Sequence, residues 1–150
     1  ALLINSQSSG ASQNYPQYDM WAGGLAAFEP GNMYLLQMAA EATLVVSGAP
    51  VDLATSPIEL ISGWNWLGYL PQNPGAVGEA LASLGDDALL INSQSDGASQ
   101  NYPQYGMWAG GLATLEPGKG YLLSMATDAS FIYPEFDGMA RLAKNKQPII

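Results

Sequence analysis

The chain has no cysteine and no histidine. A disulfide framework is excluded, as are thiolate and imidazole metal sites, and any general base would have to be a carboxylate. Positive charge is scarce. Four bases stand against 13 acids for a net charge of −9, and Arg141, Lys144 and Lys146 fall in the last ten residues, leaving Lys119 as the one base elsewhere. Nucleic acid is therefore a poor partner, because neutralising phosphates needs a basic face. An anionic membrane surface is disfavoured for the same reason. Charged residues make up only 11%, against roughly 25% in ordinary soluble domains. No apolar run reaches the roughly 18 residues of a membrane-spanning helix, so membrane insertion is not expected. No signal peptide is visible. The sequence also lacks GxSxG, P-loop and GxGxxG motifs. Neither a cofactor nor an enzymatic activity is expected.

What is present is 48% hydrophobic residues, with polarity supplied by Ser, Asn, Gln and Tyr. That mixture suits extracellular β modules, and the lack of cysteine fits a bacterial secreted protein that does without disulfides. A length of 150 residues accommodates one domain or two small ones.

The dominant feature is a repeat. Ala1 to Val46 realigns on Ala88 to Tyr133 without a gap, and only 13 of the 46 aligned positions differ. Such closeness points to duplication of one structural unit within an arrayed protein. The second copy is the fuller one. Ile58 to Leu70 (IELISGWNWLGYL) reads as a strand interrupted at Ser62-Gly63, apolar on both faces as a central strand is. Trp64 and Trp66 lie two apart on it and share a face, where core packing is expected. In QNPGAVGEALASLG, Asn73 suits an N-cap, Pro74 the first helical position and Gly85 a C-cap. Val77, Ala80, Leu81 and Leu84 recur at helical spacing, predicting an amphipathic helix of about three turns. ALLINS is a strand, Gln94 to Tyr105 a polar loop, Met107 to Leu115 a short strand broken by Gly110-Gly111, and EPGKG a Pro-Gly turn. Tyr121 to Met125 and Ala129 to Tyr133 complete the strands.

The first copy opens at ALLINS without a GWNW strand or helix and follows the same strand pattern to Val46. Ala1 thus stands partway through a longer unit, and any export signal is expected upstream of it. Ser47 to Pro57 reads as linker. The expected division is a partial first repeat at 1–47, a complete second repeat at 48–134 and a C-terminal helical junction at 135–150, where Phe136, Met139, Leu142 and Ala143 form a stripe. The permuted phase, 1–85 and 86–150, is the alternative. The two copies could pair about a pseudo-twofold in either phase. The predicted fold is α+β and β-rich: a duplicated unit of short antiparallel strands with one short helix per full repeat.

GWNWLGYLPQNPGAVGEALASL followed by EPGKGYLLSM resembles a tandem module of large secreted and surface-attached bacterial proteins. The resemblance covers about residues 58–133 and recurs in 1–46. It implies export and a non-catalytic, β-rich building block, with no activity to carry over. The first copy departs from the pattern at EPGNMY, where Asn32 and Met33 replace Lys119 and Gly120. If Gly120 has a positive φ, Met33 must strain or reshape that turn.

The repeated NYPQY-x-MW segment sets Tyr15, Tyr18 and Trp21, and again Tyr102, Tyr105 and Trp108, beside Asn and Gln. Aromatic faces stack on sugar rings and amides read hydroxyls, so these six are the candidate ligand residues, with a polysaccharide as the ligand. The competing reading makes both tryptophans core residues, and burial is expected because aromatics are mostly found inside. Asp96 with Asp86 and Asp87 only faintly resembles a calcium loop, and a solvated turn is preferred. Glu29 and Glu116 are a symmetry pair of carboxylates that could act as a hydrolytic dyad, but each flanks a Pro-Gly turn. The resulting expectation is a structural, adhesive or spacer module of an exported bacterial protein, extracellular or on the cell surface, with neighbouring domains of its parent as partners. A carbohydrate-binding module is the alternative and a carboxylate-dependent hydrolase the second alternative.

Overall fold

A computed structural model describes residues 1–136. The chain is β-rich, with antiparallel sheets and short helical turns. Strands β1 (Leu3–Asn5), β2 (Ala11–Tyr15), β3 (Met20–Gly23) and β4 (Leu35–Gln37) form a four-stranded sheet in the order β3-β2-β1-β4. After a largely exposed stretch come β5 (Ile58–Leu60), β6 (Gly63–Gly68), β7 (Gly75–Ala76) and helix α1 (Val77–Ala80). Then follow β8 (Ala88–Asn92), β9 (Ala98–Tyr102), β10 (Met107–Gly110), β11 (Thr114–Leu115), β12 (Gly120–Met125) and β13 (Ala129–Phe131). The second large sheet runs β10-β9-β8-β12-β6, while β11 pairs with β7 and β13 with β5.

The registers of the two large sheets agree position for position. Leu3 faces Gln13 and Gln37 as Leu90 faces Gln100 and Ser124, and Asn14 faces Trp21 as Asn101 faces Trp108. The difference is the fifth strand. In the second sheet β6 runs along β12 from Gly63 to Gly68, whereas β4 has β1 on one side and no strand on the other.

One buried cluster results, and it draws on Leu53 to Tyr133. The stripe Val77, Ala80, Leu81 and Leu84 lies in it beside Leu60, Leu67, Ile91, Leu115, Leu123 and Phe131. Each fully buried Leu, Val or Phe contributes roughly 1.5–3 kcal/mol. Edge-to-face ring contacts of Tyr133 with Tyr69 and Phe131 close one end. Among the described residues no helix is long and apolar enough to cross a membrane.

Several expectations need correction. The α-helix is a single turn, uncapped by any side chain, because Gly75-Ala76 is drawn into pairing with Leu115 and Thr114. Asn73 is not an N-cap. Its amide donates to the Phe136 carbonyl (2.6 Å) and its own carbonyl accepts from the Tyr69 hydroxyl (2.8 Å). Residues 82–87 continue as a 3₁₀ stretch kinked at Gly85 (φ 55°, ψ −131°). β6 is an edge strand of its sheet, and Trp64 and Trp66 lie on its outer face, with Trp64 46% exposed, while Asn65 and Leu67 point inward. No strand forms at Ala42 to Val46, because the corresponding 129–131 stretch is paired by β5, and among the described residues no such strand lies beside Ala42 to Val46. Of the junction helix expected over 135–150, residues 135 and 136 are not helical and the remainder lies outside the described residues.

The end of the first sheet abuts the outer edge of β6. The Met33 N–H donates to the Trp66 carbonyl (3.1 Å), the Gly68 N–H to the Gly31 carbonyl (2.9 Å), and Asn32 bridges Leu67. The positive φ in the Pro-Gly turns belongs to Gly31 (85°) and Gly118 (79°), present in both copies, and not to Gly120. Met33 therefore strains nothing. Its side chain fills the space where a Cβ on Gly120 would stand.

That knob-and-gap fit predicts that Gly120→Ala destabilises the chain and that Met33→Ala relieves the cost, with a coupling energy of about 1 kcal/mol in a double-mutant cycle measured by urea unfolding. Burial pushes the Tyr133 hydroxyl well above its ordinary range. A raised folded pKa contributes stability that is present below the unfolded value and lost as pH climbs past it. The melting temperature should accordingly fall above about pH 10, and Tyr133→Phe should blunt that alkaline fall.

Candidate functional site

The NYPQY segment begins as a strand and ends in a 3₁₀ turn, because Pro16 and Pro103 remove an N–H and fix φ where the chain leaves the ladder. The turn closes with Asp19 (φ 51°) in one copy and Gly106 (φ 60°) in the other. It places Tyr18 and Tyr105 at the hairpin tips, 71% and 73% exposed. Tyr15 faces Met20 and Tyr102 faces Met107 across the ladder, whereas Trp21 faces Asn14 and Trp108 faces Asn101. Neighbouring strand residues point to opposite faces. Tyr15 and Trp21 are thus on opposite faces of their hairpin, as are Tyr102 and Trp108. The three aromatics of each copy do not converge on one stacking surface.

The two asparagines beside them bond to the backbone. Asn101 Nδ2 donates to the carbonyls of Ala88 (2.7 Å) and Gly85 (2.9 Å), tying the hairpin to the 3₁₀ stretch. Asn14 donates to the Ala1 carbonyl (2.9 Å). The tryptophans differ in environment although their ladders match. Trp108 is half-buried, packed on the core and next to Gly78 of α1. Trp21 is 45% exposed, with no helix against it. Between α1, the 3₁₀ stretch and the β9–β10 hairpin lies an open cleft of about 560 Å³ lined by Trp108, Met107, Asn101, Glu79 and Asp86.

Of the acidic candidates, Asp96, Glu116 and Glu29 are engaged locally. Lys119 Nζ reaches Glu116 Oε2 (2.6 Å) and Asp96 Oδ2 (2.9 Å), and these two carboxylates push its pKa upward. The cluster is solvent-exposed, so its weight in stability is small. Ser9 and Asn32 stand where the second copy has Asp96 and Lys119, and Asn32 Nδ2 reaches Glu29 (3.4 Å) instead. Glu29 and Glu116 each donate a backbone N–H to the hydroxyl of Tyr34 or Tyr121 (2.8 Å in both), which fixes the Pro-Gly turn. Among the described residues no group of three or more acids is placed to hold a metal ion.

Three sets of residues carry structure that their sequence context did not reveal. Asn65 of GWNW is buried. Its Oδ1 accepts from the Ile61 N–H (2.9 Å) and its Nδ2 donates to the carbonyls of Ile61, Gly63 and Leu123, closing the β5–β6 turn onto β12. Ser12 and Ser99 are buried and donate to the Leu25 and Leu112 carbonyls. Gln7 accepts from the Trp66 N–H (2.7 Å) and donates to the Trp64 carbonyl (2.7 Å), so its side-chain amide pairs with the β6 edge as a strand would. In sequence these are ordinary polar residues, and only a strong alternation of apolar neighbours around Ser12 could have flagged an inward hydroxyl.

No family model, curated protein or solved structure matches the chain.

The unequal tryptophans make unequal predictions. Trp108→Ala should cost about 2–4 kcal/mol, since it opens a space against the core. Trp21→Ala should stay within about 1 kcal/mol, as a change at an exposed position does. Chemical denaturation of the two variants measures both.

Proposed function

We propose that the chain is a non-catalytic structural, adhesive or spacer module of an exported bacterial protein, of the tandem GWN…EPGKGY type. In this reading one unit of short antiparallel strands with a short helix is duplicated. The complete unit lies within 48–134, residues 1–47 are a partial one, and the partners are neighbouring domains of the parent at the cell surface or outside it. The observation that carries the reading is the joint between copies. Gln7 and the Gly31 to Met33 turn, both within the repeated text, engage the free edge of β6. Asn14, Asn101, Asn32 and the Asp96–Lys119–Glu116 cluster are engaged in local turn and hairpin contacts.

A second reading is favoured by the cleft beside Trp108. An aromatic wall with Glu79 and Asp86 nearby has the chemistry to take a neutral sugar, so a carbohydrate-binding module is the alternative. It uses Trp108 alone of the six aromatics proposed from the repeat.

In the spacer reading, Gln7→Ala combined with Met33→Ala loosens the first sheet from the second. Limited proteolysis should then cut faster between residues 24 and 57, with the second sheet intact. The native chain should show no retention in polysaccharide affinity gels and no turnover on a hydrolase substrate panel. Turnover above background ends the non-catalytic reading. Retention that is lost in Trp108→Ala and kept in Trp21→Ala establishes the second one.

A further inference from the structure

The first sheet has an apolar face that nothing in residues 1–136 covers. A cavity of about 420 Å³ is lined there by Ile4, Trp21, Leu25, Phe28, Leu36 and Leu44. Their counterparts in the second copy are Ile91, Trp108, Leu112, Leu115, Leu123 and Phe131. All of these are buried in the core except Trp108, which packs against it. The contrast is largest at Leu44, 76% exposed, against Phe131 at 0%.

Two further surfaces are open in the same way. The outer edge of β4 pairs with no strand, whereas β12 is paired by β6. Ala42 to Leu44 forms no ladder, whereas its counterpart β13 is paired by β5. In the second copy a single stretch of chain covers all three surfaces. Ile58 to Leu60 pairs β13, Gly63 to Gly68 pairs β12, and Val77, Ala80, Leu81 and Leu84 fill the core.

We propose that the first sheet is an open seat for a strand–helix polypeptide segment of the Ile58 to Asp87 type, supplied from outside residues 1–136. The inference rests on the two copies sharing one fold. The geometry selects this occupant over simpler ones. A second copy adding its own edge strand would pair β4 and leave the cavity open. A small apolar molecule would fill the cavity and leave the β4 edge and Ala42 to Leu44 unpaired. A segment with an alternating apolar strand followed by a helical turn bearing Val, Ala and Leu covers all three, as it does a few tens of residues further along the chain. Strand addition supplies backbone hydrogen bonds and the helical turn supplies apolar contact.

The test fuses an additional copy of residues 58–87 ahead of Ala1 of the full chain, so that Asp87 joins Ala1 as it natively joins Ala88. Binding of an apolar-surface dye should fall severalfold and the melting temperature should rise. The amides of Leu35–Gln37 and Ala42 to Leu44 should become as protected from hydrogen exchange as those of Leu122 to Ser124 and Ala129–Phe131. The same fusion with Leu81→Asp and Leu84→Asp in the added copy should show none of these gains. A synthetic peptide of residues 58–87 titrated onto the unmodified chain gives an independent readout, expected as saturable protection of the same amides. A folded fusion whose Leu35–Gln37 and Ala42 to Leu44 amides exchange as fast as in the parent overturns the proposal. So does an unmodified chain that dimerises with its β4 amides already protected. Glycan retention or substrate turnover would overturn the module reading without touching the exchange result, so the two failures are distinguishable.

Discussion

A sheet with one apolar face must bury it, and in this chain the stretch from Ile58 to Asp87 is what does so. It contributes an edge strand to β12, a partner strand to β13 and a helical turn to the space between them. The order of the second copy follows from that one act of coverage. Ile91, Leu115, Leu123 and Phe131 are sealed, Tyr133 is held between two rings, and Asn101 can tie the hairpin to the 3₁₀ stretch. The same strands with the same registers remain half open in the first copy, where that coverage is missing. Local sequence therefore sets the ladders, and the covering segment decides whether a core forms on them.

The joint between copies is built from small differences within an almost constant text. Gly31 carries the turn, Asn32 and Met33 reach the β6 edge, and Gln7 supplies two further bonds from its side chain. An unpaired strand edge invites association with other chains, and this one is blunted by an amide and a turn rather than by charge. Met33 and Gly120 occupy equivalent positions in the repeat yet meet in space, one as knob and one as gap. Their divergence is what lets one copy sit against the other. The Ser9/Asp96 and Asn32/Lys119 differences are likewise coupled, since the second copy turns them into an ion pair.

Much of this architecture was legible from residues. The repeat, most strand positions, the Pro-Gly turns and the buried stripe Val77, Ala80, Leu81 and Leu84 all follow from spacing and alternation, but β9 lies inside the stretch read as a polar loop, because ASQNY has no apolar alternation and is held as a strand by its ladders with β8 and β10. Less legible was the length of α1, because its first turn is lost to strand pairing between Gly75-Ala76 and β11, a contact distant in sequence. The place of Asn65 was hidden for a similar reason. A polar residue between two tryptophans reads as the outward one, yet the turn at Ile61 to Gly63 needs its amide inside. Burial was the expectation for both tryptophans, yet Trp21 is 45% exposed and Trp108 is only half-buried. The type and repetition of the candidate aromatics suggested a surface, while the ladder pairing that sends Tyr15 and Trp21 to opposite faces depends on where the hairpin turns.

One covering segment and two near-identical seats also pose a problem of folding order. YLLQM at Tyr34 to Met38 and YLLSM at Tyr121 to Met125 offer β6 almost the same partner strand. Proximity favours the wrong one. The loop from β4 to β6 is roughly half as long as that from β6 to β12, a closure advantage of about 0.6 kcal/mol. The native pairing wins through what surrounds the strand. Phe131 and Tyr133 replace Leu44 and Val46, and the edge-to-face contacts of Tyr133 with Tyr69 and Phe131, each worth about 0.5–1.5 kcal/mol beyond burial, have no equivalent in the first copy. The few divergent positions thus act as an address, keeping a nearly repetitive chain from being threaded in the wrong frame.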